Sequence, residues 1–166
     1  MTAVAVKLGH IGAHWTAACK QAVTDLNQLF RRKGINVELA VNGDGPVISV
    51  STDPGIQGSL VHGRTSAETD GGSKLLKAEV RLPVKLTINA PKGEREAGTG
   101  MAEVVAAHEF VHALGHEPHN SHLMAQTWHK VVGDRAAGDK LRAGADAMPP
   151  LQLADESVDL LKGIWN

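Results

Sequence analysis

HEFVHALGHEPHNSHLM, running from His108 to Met124, places five of the chain's nine histidines in seventeen residues. The stretch opens inside "MAEVVAAHEFVHALG", which reads as a helix with Thr99 or Gly100 near its N-cap and Gly115 at its end. On a helix His108 and His112 are one turn apart on the same face, so two imidazoles can reach one ion. Glu109 projects roughly a third of a turn away, beside such an ion without ligating it, where a general base is needed.

This is the H-E-x-x-H arrangement of zinc peptidases. Neutral imidazoles suit Zn²⁺, and a catalytic site keeps one coordination position open for water. The pattern continues as H-E-x-x-H-x-x-G, and Gly115 permits a left-handed residue at which the helix can stop and the chain turn back. A third ligand is then expected among His116, His119 and His122. His116 directly follows the glycine and is expected to point away from the first two, facing solvent or standing behind the ligands. Metal geometry and loop reach decide among them, and the resemblance set out below favours His119, with His122 second.

Residues 104–124 resemble the metzincin clan of zinc peptidases, whose fuller signature is H-E-x-x-H-x-x-G-x-x-H followed by a Met-turn. "VVAAHEFVHALG" is similar to the active-site helix of the matrixins, "PHN" to their third-ligand segment, and "LQLADESVDLLKGIW" to their final helix. The third-ligand position of the signature falls on Pro118, one residue before His119, which a turn after glycine can absorb. The resemblance implies Zn²⁺ held by His108, His112 and His119, with Glu109 as general base and Met124 as an apolar floor. It implies a peptide substrate lying extended along an edge strand, for which residues 60–69 are the candidate. Thr127 and Trp128 would border the pocket beyond the scissile bond. The chain has no tyrosine, so the added tyrosine near the metal of astacins and serralysins is missing, and matrixin-like or snapalysin-like chemistry fits better.

Outward from this centre, the chain reads as strand 3–8, a helix over "HWTAACKQAVTDLNQLFRRKG", strands 35–41 and 47–53, an irregular edge strand within 60–69 and a strand over "KAEVRLPVKLTI". Pro83 argues for an edge position or a bend in the last of these. "NAPKGEREAGTG" reads as a polar loop. Residues 125–148 mix short helical patches with glycines. "PPLQLADESVDLLKGIW" reads as an amphipathic helix using Leu153, Val158, Leu161 and Ile164. The expected class is α+β and metzincin-like: a twisted, mixed sheet of four to five strands, an active-site helix and a C-terminal helix. It forms one domain over 1–166, with an upper lobe of about 1–115, a lower lobe of about 116–166 and zinc in the cleft between them.

A formal charge of −1 points to no nucleic-acid or membrane partner. Arg31, Arg32 and Lys33 precede Gly34 and read as a favourable helix C-terminus. The N-terminus lacks a signal-peptide pattern, and the single cysteine, Cys19, lies on the apolar face of a helix and fits a reducing compartment. A cytoplasmic monomer acting on peptide or protein is expected if the chain is complete. Two other readings compete. Glu156 would be the third ligand in a gluzincin plan, and a closed four-ligand site drawing on His116, His119 or His122 would make the chain a zinc-fastened binding module. His10, His14, His62 and His129 read as ordinary surface or capping histidines. Trp15, Trp128 and Trp165 read as packing residues.

Overall fold

The computed structural model describes residues 1–57, 62–72, 74–90, 93–125 and 151–166. Thr127, Trp128, His129 and the patches read within 126–148 lie outside them, as does the start of the segment 60–69. The described part is α+β, with three helices and a five-stranded mixed sheet.

Apolar alternation builds the sheet. β1 (Thr2–Leu8) buries Val4, Ala5 and Val6 in succession because strands flank it on both sides, with β2 (Val37–Val41) and β3 (Val47–Asp53) both running parallel to it. β3 pairs in parallel with β5 (Leu75–Pro83), and β4 (Arg64–Thr69) closes the sheet as its antiparallel edge, giving the order β2-β1-β3-β5-β4. Ile48, Val50, Val80 and Leu82 are buried, whereas Ser49, Lys77, Glu79 and Arg81 belong to the opposite, polar face.

α1 (Gly12–Lys33) buries the stripe Trp15, Cys19, Ala22, Leu26 and Phe30, and it stops at Gly34 with φ of 71° after the basic turn Arg31–Lys33. Cys19 is a free buried thiol, which burial pushes up to about 12. Asn27 accepts a hydrogen bond from the Leu39 N–H and donates one to the Leu39 carbonyl, covering backbone groups of edge strand β2. Trp15 Nε1 donates to the Pro83 carbonyl at 2.8 Å, and Trp165 Nε1 to the Leu114 carbonyl at 2.9 Å. Each of these indoles therefore ties a helix to the end of another element, Trp15 to β5 and Trp165 to α2, as well as filling core.

Three expectations change. The strand expected over 77–88 is two elements: β5 ends at Pro83, and β6 (Thr87–Ala90) follows a bend. Of the two roles expected of Pro83, the bend holds, coming directly after it, whereas β5 lies inside the sheet rather than at its edge. The expected polar loop 89–100 contains β7 (Gly93–Glu96), paired antiparallel with β6. A two-stranded ribbon rests on backbone pairing, so "GERE" carries no apolar alternation by which to read it. The C-terminal helix α3 spans Asp155–Trp165, and Leu153 precedes it in an isolated bridge to His122. Among the described residues no helix is long and apolar enough to cross a membrane.

α2 (Thr99–Ala113) is capped by Gly98, one residue before the expected position, and packs on α1. It is buried on almost every side, so its polar residues are few and placed. Burial first, then the hydrogen bond and negative charge of Asp25 on α1, push the Glu103 carboxyl up to about 8. Folded Glu103 thus keeps a proton that the unfolded chain releases above 4.5, and stability falls as pH rises between these values. Glu103→Gln is expected to melt with wild type at pH 4 and above it at pH 8. With solvent screening the gap should be about 1 kcal/mol, measurable by thermal melts at both pH values.

Candidate metal centre

α2 ends in a turn whose geometry sets the site. The Gly115 N–H bonds the His112 carbonyl at 3.0 Å and the His116 N–H bonds the Val111 carbonyl at 3.2 Å. These two bonds form a Schellman closure. Gly115 has φ of +112°, and a Cβ there would stand 2.7 Å from Ile164 Cδ1 on α3. Only glycine meets both conditions. The chain reverses, and the His116 carbonyl arrives 2.7 Å from His112 Nδ1. The Leu123 carbonyl likewise lies 2.6 Å from His108 Nδ1.

A carbonyl accepts only, so both Nδ1 atoms donate, and in a neutral ring the opposite Nε2 then presents a lone pair. Yet His108 Nε2 and His112 Nε2 are 2.9 Å apart, and His119 Nε2 is 3.2 Å from His112 Nε2. Two lone pairs at that range repel unless a cation lies between them. Nitrogens about 2.0–2.1 Å from a tetrahedral ion are separated by roughly 3.3 Å, close to these distances. Among the described residues, His108, His112 and His119 form the group close enough to hold a metal ion. Burial pushes His108 down to about 4 against the opposing bond to Leu123, and it lowers His119 too, with His112 adding to the effect. Both are therefore neutral and ligand-ready at neutral pH.

The other histidines divide differently. His116 is buried at 1% exposure, which corrects the solvent-facing alternative. Its side chain stands behind the ligands with Nε2 2.7 Å from Ser157 Oγ on α3. Asn120 Nδ2 donates to the same oxygen at 2.8 Å, so Ser157 gathers the residues on either side of His119. His122 is not in the cluster; it adopts φ of 53° and bridges Leu153. Glu156 is exposed and outside the cluster as well. Met124 is fully buried in a turn where the Asn120 N–H bonds its carbonyl at 2.8 Å.

Glu109 is 6% exposed. Burial pushes its carboxyl up, while a hydrogen bond from Thr65 and the nearby His112 act the other way. It shares with His112 and His119 the wall of an open cavity of about 470 Å³, bounded across by Gly63, Thr65 and Ala67 of the β4 segment. Thr65 and Ser157 lie 44 and 38 positions from Glu109 and His119, and nothing local in the sequence marks either. No protein-family model matches the chain, and no curated protein matches it.

Two substitutions test this construction. Gly115→Ala is expected to destabilise the metal-free fold by at least about 1 kcal/mol and to weaken metal binding, read from denaturant melts and Co²⁺ absorption. Ser157→Ala should weaken Co²⁺ binding by about 10- to 100-fold while far-UV circular dichroism stays unchanged.

Proposed function

We propose that the chain is a zinc-dependent endopeptidase of the metzincin type, matrixin-like, using His108, His112 and His119 as ligands and Glu109 as general base. The observation that carries this reading is the convergence of three imidazole nitrogens, with a carboxylate on the same cavity wall and His119 at the exposed side. The ligand set suits Zn²⁺, and the bound ion would supply Lewis acidity to water and to a carbonyl oxygen.

The residues of the chain divide the remaining work. His108 and His112 donate through Nδ1 to backbone carbonyls, which fixes their tautomers and ring planes. Glu109 accepts the proton of the attacking water and passes it to the leaving amine, so no serine or cysteine nucleophile is needed. The segregation of Glu109 from bulk water raises its basicity, which suits it to the first of these transfers. β4, the antiparallel edge of the sheet among the described residues, borders the cavity, and its outer edge would pair with an extended peptide. Met124, fully buried, would serve as the methionine of a Met-turn.

Fluorescein-labelled casein tests the reading. Zinc-loaded wild type is expected to cut it, and Glu109→Gln to retain metal while losing about 10²- to 10⁴-fold in rate. His119→Ala should lose metal, whereas His122→Ala and Glu156→Gln should keep it, by elemental analysis after dialysis. A fully loaded wild type that cleaves no protein or peptide would sink the proposal.

A further inference from the structure

The side chain of Glu109 is held from outside its own helix. Thr65 Oγ1 lies 2.5 Å from Glu109 Oε2 and 3.4 Å from the Glu109 carbonyl. The strand register dictates that approach: Thr65 pairs with Val80, and Ala67 with Ala78, on the buried side of the sheet, while Ser66 and Glu68 pair with Glu79 and Lys77 on the polar side. A slip of one residue would turn the hydroxyl away from α2. Just before the strand, Gly63 runs against the same carboxylate. A Cβ at that position would stand 2.8 Å from Glu109 Cγ, 2.9 Å from Oε1 and 3.0 Å from Cδ.

We infer that Thr65 is a positioning residue for Glu109, and that Gly63 keeps the space beside its second oxygen open. The role rests on the peptidase reading above. The Thr65 hydroxyl donates to Oε2 and leaves Oε1 to receive the water proton. A carboxylate on a flexible stem loses rotamer freedom when it is held this way, and a base must be held close to its productive geometry to act. The strand that carries the hydroxyl is also the edge on which an extended peptide would pair. Residues 63–65 therefore join substrate pairing to base placement. A peptide paired on β4 would thus lie along the strand that also holds the carboxylate accepting the proton of the attacking water.

The test uses the full chain loaded with Co²⁺ and two probes. Acetohydroxamate chelates the metal, and its hydroxyl proton needs an acceptor alongside, so its affinity reports the placement of Glu109 without any bond being cut. A quenched fluorescent peptide built on a casein bond that wild type cleaves reports turnover. Loss of a hydrogen bond to a charged group makes Thr65→Val weaken acetohydroxamate by about tenfold and lower kcat by at least about tenfold, with KM within about twofold. Co²⁺ content should not change. Thr65→Ser restores the donor and should recover most of both losses. Gly63→Ala should behave like Thr65→Val, because its Cβ displaces the same carboxylate.

Equal acetohydroxamate affinity and kcat in wild type and Thr65→Val would overturn the inference and leave the peptidase reading intact. A Thr65→Ser variant as impaired as Thr65→Val would overturn it too, since the donor would then be irrelevant. A wild type that cuts no peptide, alongside a Thr65→Val variant that still loses acetohydroxamate, would remove the peptidase reading and keep the Thr65 contact as what places Glu109. Failure of wild type to take up Co²⁺ would remove both.

Discussion

The reversal of the chain at Gly115 is the constraint on which the histidine cluster depends. α2 by itself can present only two imidazoles to an ion, because helical geometry sets their spacing and nothing further along the helix is a histidine. The left-handed residue and the two closing bonds of the Schellman turn bring His116 to His119 back across the end of the helix. One reversal supplies a carbonyl to orient His112 and a third nitrogen 3.2 Å from it. It also presses Gly115 against Ile164, so the turn and the C-terminal helix must be shaped for each other.

Around that turn the site is built from three directions. α2 contributes His108, Glu109 and His112, and its burial keeps their surroundings apolar enough that each polar partner matters. α3 contributes Ser157 from behind, a buried hydroxyl linking His116 and Asn120 on either side of His119. β4 contributes Thr65 from in front, against the carboxylate. Buried polar groups of this kind are costly unless they are paired, so each contact both fixes a side chain in or beside the cluster and satisfies a group that would otherwise weaken the fold.

Much of this was legible in the linear chain where the physics is local. The spacing of His108 and His112, the place of Glu109 between them and the stop at Gly115 follow from helix geometry, and they hold in the structure. α1, β1 and β3 were legible for the same reason, since apolar periodicity reports directly on a buried face. The hairpin β6–β7 was not, because a ribbon of polar residues has no such period. The helix expected to include Leu153 begins two residues later, since Leu153 bridges His122 in extended conformation and Asp155 and Glu156 then open the helix at its positive end.

What the sequence determined by itself is therefore the helix that carries His108, Glu109 and His112, the glycine that must follow it, and the sheet that supports it. Those are properties of neighbours within a few residues, and side-chain periodicity encodes them. The tertiary structure alone brought His119, and not His122, beside His108 and His112, turned His116 inward to Ser157, and set Thr65 against Glu109. Each of these is a meeting of segments whose positions depend on loop path, strand register and helix packing. No spacing along the chain expresses the distance between two atoms brought together only when the sheet, the turn and the last helix have closed on one another.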